Sequence, residues 1–359
     1  MGECAVLTPI DYNALFTPGE TALPGTYDNI TDYTCYRTLA ATNATVDDLV
    51  VAYPNLTEKV LLDQYPTVEN GHYLFVLVLT NKNFQPDASY FGEKGKVLAT
   101  SSIHAREMTP AETMTRFAEY ALQNYETDPD IQWLLDYTEI HLILQANPDG
   151  RQYDEVAKDL WRKNRNIAGG CSSTSNYGVD LNRNFPFKWD GCLERDCSSG
   201  TCSAETYRGT SAASEQETQA IIDYAESIFP PAQRNGSLAE AEMEAGDNNV
   251  GYPESNTGVF MDVHSSGKYV GYSWGYKNLR SGNDDGMGAL GRKMASYSGY
   301  SLWAPEMPQF IYPVDGGTLD TMYGWLGVAG LFWELGTDWY QPCNSYPTII
   351  NEVGHFKQC

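Results

Sequence analysis

The stretch between residues 96 and 110 constrains the fold of this chain more than any other part of its sequence. It starts with a short apolar run at residues 97–100, which predicts a buried strand, and it continues into a polar turn that contains His104 and Glu107. A helix signal follows immediately. A strand on one side and a helix on the other would hold the turn in a fixed position, and this pairing is the repeating unit of α/β folds.

The same alternation of strand and helix continues along the chain. Thr109, Pro110 and Glu112 form a capping box that predicts a helix start, and Ser214 and Glu217 form a second one. Apolar runs predict strands at residues 60–62, 72–80, 97–100, 139–145, 259–263, 269–273 and 330–333. Amphipathic segments predict helices from residue 46 and at residues 110–126, 214–229, 285–298 and 319–328. We therefore predict a single large α/β domain, with a mixed, mostly parallel, twisted sheet covered by helices on both faces.

Chain length and the composition of the N-terminal region set the domain organisation. A chain of 359 residues exceeds the roughly 250–300 residues that one hydrophobic core usually serves, so a large domain with additions is expected. Residues 1–45 are rich in Thr, Pro and Gly and show little periodicity. We predict an N-terminal extension over residues 1–45 that packs on a main domain over residues 46–359.

The charge balance excludes several classes of partner. The chain has 23 basic and 47 acidic residues, a formal net charge of −24, which disfavours binding to nucleic acid and to anionic membranes. No apolar run is long enough for a transmembrane helix. No apolar signal segment follows Met1, and we expect such a segment to have been removed. We predict a soluble monomer that binds neither nucleic acid nor membrane.

Cysteines and glycosylation sequons indicate a secreted protein. The eight cysteines form no Cys-x-x-Cys pair, which argues against a cysteine zinc site or a thioredoxin-type redox motif. Their even number predicts disulfide bonds, and we expect a Cys4–Cys35 bond to hold the N-terminal extension. Four sequons, which begin at Asn29, Asn43, Asn55 and Asn235, fit an extracellular glycoprotein.

Two histidines and one glutamate form a candidate zinc site. His104 and Glu107 are three residues apart, which lets an imidazole and a carboxylate bind one ion, although exposed loop charges are an alternative interpretation of this pair. His264 follows the predicted strand at residues 259–263, and side chains at strand ends can meet at one edge of a sheet. Two histidines and one carboxylate would leave the fourth position of a zinc ion to water.

Two further features could supply chemistry at the same edge of the sheet. Glu334 ends a very apolar strand, where burial of a carboxylate without a partner is costly. It is a candidate general base toward water, with a buried ion pair to an arginine as the alternative. Arg183 beside Asn182 can form a forked, bidentate grip on a carboxylate, and such an arginine in an acidic chain requires an anion.

Seven short motifs together resemble the zinc metallocarboxypeptidases of the carboxypeptidase A/B type. They occur in the order found in that family: His104-x-x-Glu107, Asn147-Pro-Asp-Gly150, Trp161-Arg-Lys163, Gly178-Val-Asp-x-Asn-Arg-Asn-Phe185, Val263-His-Ser265, Tyr312-x-x-x-Gly-Gly317 and Phe332-Trp-Glu-Leu335. The sequence after Leu335 is more similar to secreted microbial members than to the digestive animal enzymes. The resemblance covers the main domain and identifies it as a zinc carboxypeptidase catalytic domain.

The resemblance implies the activity and the catalytic residues. It implies a zinc-dependent exopeptidase that hydrolyses the C-terminal peptide bond of peptides and proteins, with one Zn²⁺ per chain. The implied metal ligands are His104, Glu107 and His264. The implied general base is Glu334, Arg162 is implied to polarise the scissile carbonyl, and Asp180 to orient His104.

The resemblance also implies how the substrate binds. Asn182 and Arg183 would bind the terminal carboxylate, Tyr312 would lie on a mobile loop that closes over it, and Arg106 matches a subsite arginine. Leu319 matches the position that faces the terminal side chain, where a leucine favours an apolar or aromatic residue. A Cys171–Cys202 disulfide bond matches one common in the family, and Cys192–Cys197 would be an additional bond.

Two other functions stay open at this point. One is a zinc amidase that acts on cell-wall peptides. The other is a non-catalytic secreted module that binds peptides on the same fold. Because all three metal ligands and the candidate base are present, the sequence disfavours the non-catalytic module. Hydrolysis of blocked dipeptides rather than cell-wall peptides would separate the peptidase from the amidase.

Overall fold

An eight-stranded sheet organises the computed structural model, which describes residues 27–87, 89, 92–167, 176–191, 197–229, 251–253, 256–304 and 312–353. Its strands are β3 (Thr57–Leu61), β4 (Phe75–Leu79), β5 (Gly95–Ser101), β6 (Thr138–Ile143), β7 (Val259–His264), β8 (Tyr269–Tyr272), β9 (Ser301–Trp303) and β10 (Ala329–Glu334). A small antiparallel pair, β1 (Asn29–Ile30) and β2 (Tyr33–Arg37), precedes them.

The strand order of the large sheet is β3-β4-β6-β5-β7-β10-β8-β9. The four central strands, β6, β5, β7 and β10, run parallel to one another. The pairs β3–β4, β4–β6 and β10–β8 are antiparallel, and the edge pair β8–β9 is parallel. Parallel strands end at the same edge, so β5, β7 and β10 bring the residues at their carboxyl ends together. This confirms the predicted mixed sheet.

Eight helices accompany the sheet. They are α1 (Leu39–Ala52), α2 (Met108–Asn124), α3 (Pro129–Tyr137), α4 (Pro148–Ala157), α5 (Gln216–Ile228), α6 (Asp284–Ser298), α7 (Thr318–Leu326) and α8 (Tyr346–Val353) within the described residues. The sequence analysis did not predict α3, α4, β9 or α8, and α1 begins before the predicted residue 46. None of the described helices is long and apolar enough to cross a lipid bilayer.

Both faces of the sheet are covered by apolar cores, as the unbroken apolar sequence of β4 predicts. Phe75, Leu77 and Leu79 belong to one core, which includes α2 and α8. Val76 and Val78 belong to the other, which includes α5 and α7. The alternation follows from the two-residue period of a strand, which directs successive side chains to opposite faces.

Neither predicted capping box forms. Helix α2 begins at Met108, earlier than predicted, and its N-cap residue Glu107 makes no side-chain capping bond. Glu112 instead accepts hydrogen bonds from Arg37 and Arg116, because a carboxylate buried beside two guanidinium groups is better satisfied there than at a helix end. Helix α5 likewise begins at Gln216, with no side-chain cap from its N-cap residue.

The predicted Cys4–Cys35 disulfide bond is wrong, because Cys35 is bonded to Cys343. These two cysteines are 308 positions apart, so only the tertiary structure could reveal the pair. Cys197 and Cys202 each take part in a disulfide bond. Their predicted partners, Cys192 and Cys171, lie outside the described residues. The predicted bonds of that region, and the domain boundary at residue 45, stay predictions.

Two glutamates, Glu215 and Glu217, are buried next to each other at the start of α5. The Nδ2 atom of Asn164 donates to Oε2 of Glu215 at 2.8 Å, but it lies 3.4 Å from each carboxyl oxygen of Glu217. Burial, followed by the charge of Glu215, raises the pKa of Glu217 from 4.5 to about 8. Between these two values the folded protein holds a proton that the unfolded chain has released, so the free energy of unfolding decreases as the pH rises.

Replacement of Glu217 by glutamine should remove this part of the pH dependence, because the amide is neutral at every pH. We expect the wild type to lose on the order of 2–4 kcal/mol more free energy of unfolding than E217Q between about pH 5 and about pH 8. Denaturant unfolding at both pH values measures the difference. E126Q, at an exposed position, is the matched control and should follow the wild type. An equal decrease in E217Q and the wild type would contradict the assignment.

Candidate active site

His104, Glu107 and His264 converge at the carboxyl ends of β5 and β7. The Nδ1 atom of His104 lies 2.6 Å from Oε1 of Glu107, and the Nδ1 atom of His264 lies 3.0 Å from Oε2 of the same carboxylate. One candidate ligand atom from each residue lies within 4.8 Å of the others, and all three side chains are buried. This is the only such group of metal-binding side chains among the residues that the structure describes. The alternative of exposed loop charges is therefore excluded.

Each of the two histidines has a carboxylate behind it. The Nε2 atom of His104 lies 3.3 Å from Oδ1 of Asp180, and the Nε2 atom of His264 lies 2.9 Å from Oδ2 of Asp262. Such carboxylates fix the orientation of the imidazole rings that bind zinc and increase their basicity. Two imidazole nitrogens and one carboxylate, each oriented toward one point, fit the donor set of a zinc ion that keeps a position open.

The electrostatics of the group also favour a cation. Burial lowers the pKa of His264, but the carboxylates of Asp262 and Glu107 together outweigh it and raise this pKa well above its ordinary value. Burial opposes ionisation of Glu107 too, but His104 and His264 hold its pKa well below the ordinary value. Negative charge therefore surrounds the point at which the three side chains meet.

Asp262 was not identified from the sequence. It lies two residues before His264 on β7, so both side chains point to the same face of the sheet. Thr100 on β5 donates to its Oδ1 at 2.7 Å, and the Thr318 hydroxyl at the start of α7 bonds its Oδ2. The i−2 position on a strand was the signal that could have found it.

Glu334 lies beside the metal-binding group. It pairs directly with His264 in the register of β10 and β7, and it lines the same cavity. Desolvation by the surrounding protein raises the pKa of Glu334 to about 8, with the charge of Glu107 acting in the same direction and that of His264 opposing it. None of the described arginines forms an ion pair with Glu334, which removes the alternative of a structural ion pair.

Arg162 and Arg183 are held by the same carboxylate. The Nε and Nη2 atoms of Arg162 donate to Oδ2 of Asp180 at 3.0 and 2.8 Å, and Nη1 of Arg183 lies 3.9 Å from that oxygen. Arg183 also donates to the carbonyl oxygens of Cys197 and Asn182, each at 2.8 Å. The side chain of Asn182 lies between Thr318, whose backbone N–H it accepts at 3.0 Å, and Nε2 of His264 at 3.3 Å.

One cavity connects most of the residues selected from the sequence. His104, His264, Glu334, Arg162, Asn182, Arg183, Tyr312 and Leu319 all line it. The rest of its wall includes the aromatic residues Tyr272, Trp274, Trp303 and Phe332. Arg106 lies apart from this lining: its Nη1 donates to Leu160 O and to Glu205, and its guanidinium stacks 3.9 Å from the centre of the Trp339 ring.

A family model described as zinc carboxypeptidase matches residues 42–352, which is most of the chain. The chain belongs to the zinc carboxypeptidase family. The match includes all three candidate ligands and Glu334. The donor set of the site and the family therefore agree on zinc as the metal.

Individual relatives are distant. Carboxypeptidase A1 from Sus scrofa is 26% identical over 297 residues, which cover 81% of this chain and 60% of the relative. The chain thus spans about three fifths of the length of this curated relative. Among solved structures, thrombin activatable fibrinolysis inhibitor superposes with a TM-score of 0.71 at 21% identity, covering 88% of this chain and 71% of that one. Carboxypeptidase A from Helicoverpa armigera superposes with a TM-score of 0.67 at 23% identity, covering 89% of this chain and 71% of that one.

These structural matches confirm the fold. Their low identities carry no argument about substrates. The expected likeness to microbial members stays a prediction.

Replacement of Asp262 by asparagine should weaken zinc binding. The amide keeps the shape of the side chain but removes the charge behind His264, and such changes typically reduce metal affinity about 10- to 100-fold. Competition of the protein against a chelator of known affinity measures the dissociation constant. D320N is the control, because Asp320 is buried in the same cavity but bonds the backbone of Gly275 and Tyr276. Equal zinc affinity in D262N and the wild type would contradict the role of Asp262.

Proposed function

We propose that this protein is a metallocarboxypeptidase, which removes the last residue from peptides and unfolded proteins. One observation carries the proposal: the two histidines of the metal-binding group, a candidate base and a buried arginine line a single cavity. The first two are the elements of peptide hydrolysis, and the arginine supplies a binding site for the carboxylate at a chain end. Membership of the zinc carboxypeptidase family supports the same reaction.

We assign the chemical steps to residues of this chain. His104, Glu107 and His264 would hold a zinc ion, which would supply Lewis-acid activation of a water molecule and of a carbonyl group. Glu334 accepts the proton of the attacking water and later donates it to the leaving amine, for which a raised pKa near neutrality is suited. Arg162, held by Asp180, stabilises the negative charge that develops on the carbonyl oxygen.

Selection of the chain end follows from Arg183. The Arg183 side chain is only 2% exposed. It lines the cavity, and its Nε and Nη1 atoms donate to backbone carbonyl oxygens. A terminal carboxylate can pair with this charge, together with the amide of Asn182. An internal peptide bond offers no such anion, so only the Asp180 carboxylate, 3.9 Å away, would compensate the desolvated cation.

The walls of the cavity support a preference for an apolar or aromatic terminal residue. Leu319, Trp274 and Phe332 supply apolar surface there. Asp320 is the acidic group that could attract a basic side chain, but its oxygens accept the backbone N–H groups of Gly275 and Tyr276 at 2.7–2.9 Å. These bonds satisfy the carboxylate within the protein, so it offers little to a substrate lysine or arginine.

We infer that the protein works outside the cell and acts on peptide termini. The Cys35–Cys343 disulfide bond is typical of oxidising compartments. Asn29 and Asn55, two of the sequon asparagines, are exposed and so accessible to glycosylation. The net charge of −24 disfavours nucleic acid as a partner.

A panel of N-blocked dipeptides that differ only in the last residue tests the activity. We expect the highest kcat/KM for terminal leucine or phenylalanine, and a value at least about tenfold lower for terminal lysine, because the cavity offers apolar contacts and no free acid. A chelator should abolish hydrolysis, and added zinc should restore it. Hydrolysis of cell-wall peptides without hydrolysis of these dipeptides would favour the amidase instead.

The variant E334Q is the control for this panel. Loss of the base should reduce kcat by about 10²- to 10⁴-fold while the zinc content stays at one per chain. If E334Q kept more than about a tenth of the wild-type activity, the assignment of Glu334 as the base would be wrong.

Replacement of Arg183 by alanine should remove the preference for free chain ends. We expect kcat/KM for a peptide with a free terminal carboxylate to decrease by about 10²-fold or more, because a buried charge pair is lost. Hydrolysis of the same peptide with an amidated end, already slow, should change little. R183K keeps the charge but not the forked geometry, so its kcat/KM for the free peptide should lie between those of the wild type and R183A. An unchanged ratio of free to amidated rates in R183A would contradict the role.

A further inference from the structure

The Asn147-Pro-Asp-Gly150 segment, one of the seven motifs found in the sequence, has no role in the chemistry assigned so far. In the structure it forms the start of α4. Oδ1 of Asn147 accepts the backbone N–H of Gly150 at 3.0 Å, and Pro148 occupies the first helical position. Asn147 is therefore the N-cap of this helix, yet it is completely buried, with its amide nitrogen directed away from the helix.

That amide nitrogen connects two parts of the active site. Nδ2 of Asn147 donates to the carbonyl oxygen of Ile103 and to that of Lys163, each at 3.1 Å. Ile103 directly precedes the metal ligand His104, and Lys163 directly follows Arg162. A second link runs parallel to the first, because the backbone N–H of Ala105 donates to the carbonyl oxygen of Arg162 at 3.0 Å.

The surroundings leave Lys163 little freedom to move. A Cβ atom on Gly150 would lie 2.6 Å from the Lys163 carbonyl oxygen, so only glycine permits this close approach. At its other end, the Lys163 ammonium donates to the carbonyl oxygens of Asn176, Cys202 and Ala204 at 2.7, 2.8 and 3.1 Å. The Asn147 amide thus joins the metal-binding turn to a segment that is itself firmly held.

We propose that Asn147 is a positioning residue, which sets the place of the Arg162 guanidinium relative to the turn that carries His104 and Glu107. The inference rests on the proposed peptidase function, in which Arg162 acts on the carbonyl oxygen of the substrate. Such stabilisation depends on a donor held at the position where charge develops, and a displacement of about 1 Å can reduce the rate about 10²-fold. Asn147 acts through this geometry and touches no substrate itself.

The variant N147D tests the proposal. Aspartate keeps the oxygen that caps α4. It replaces the amide group that donates to the Ile103 and Lys163 carbonyl oxygens by a carboxylate oxygen, which can donate to neither. We expect kcat to fall about 10- to 100-fold, with KM changed less than about threefold and the zinc content unchanged. Binding of a phosphonate peptide analogue, which carries a tetrahedral anion, should weaken in parallel with kcat. Binding of a product-like carboxylate that does not reach Arg162 should stay within about twofold of the wild type.

A double-mutant cycle with R162A separates positioning from a general structural defect. If Asn147 acts through Arg162, N147D should cost less than about twofold in kcat once Arg162 has been removed. The proposal would be overturned if the losses in kcat of the two single variants multiplied in the double variant. An unchanged kcat in N147D, or equally weakened binding of the phosphonate and of the product-like carboxylate, would overturn it too.

Asp149 supplies the matched control within the same turn. Its carboxylate accepts the backbone N–H of Glu69 at 3.0 Å and bonds Asn70, away from Arg162. D149N should therefore keep kcat within about twofold, and a loss as large as that of N147D would overturn the proposal. If N147D does not fold, N147S replaces it, with a smaller expected loss and the same cycle. A wild type that hydrolyses no blocked dipeptide would instead overturn the proposed function, and this inference with it.

Discussion

The arrangement of the active site depends on one fully buried carboxylate, Asp180. Its Oδ1 lies 3.3 Å from His104, and its Oδ2 accepts two hydrogen bonds from Arg162 and lies 3.9 Å from Arg183. Burial opposes the charge of Asp180, but the two guanidinium groups hold its pKa well below the ordinary value. His104, Arg162 and Arg183, to which we assign metal binding, oxyanion stabilisation and recognition of the chain end, therefore share one counter-ion. Their relative positions are fixed by this shared contact rather than by three independent ones.

The sheet provides the complementary half of the site. In the register of β7 and β10, His264 lies opposite Glu334, and Asp262 lies opposite Phe332 two residues further from the strand ends. The pleat directs Asp262 and His264 to the same face, which places the carboxylate behind the imidazole without any loop. Glu334 and His264, on adjacent parallel strands, keep their separation because backbone hydrogen bonds fix the register.

The sequence predicted the features that local patterns determine. Apolar runs located the strands of the central sheet, and His104, His264 and Glu334 were expected at their ends because parallel strands share an edge. The sequence-based predictions were wrong where a side chain bonds a partner other than the expected local one. Glu112 bonds Arg37 and Arg116 instead of capping its helix, and Cys35 bonds Cys343 instead of Cys4. Asn147 shows both outcomes, because its local pattern was recognised whereas its two acceptors, Ile103 and Lys163, depend on the tertiary fold.

The segment before residue 42, where the family match begins, contacts the part of the chain that follows Glu334. Besides the Cys35–Cys343 bond, the Tyr36 hydroxyl donates to the carbonyl oxygen of Gln341 at 2.8 Å. The Gln341 side chain in turn accepts the backbone N–H of Thr337 at 3.0 Å, three residues after Glu334. The same turn carries Trp339, whose ring covers the guanidinium of Arg106. The chain that leaves β10 after Glu334 is therefore tied by a disulfide bond and hydrogen bonds to residues that precede the family match.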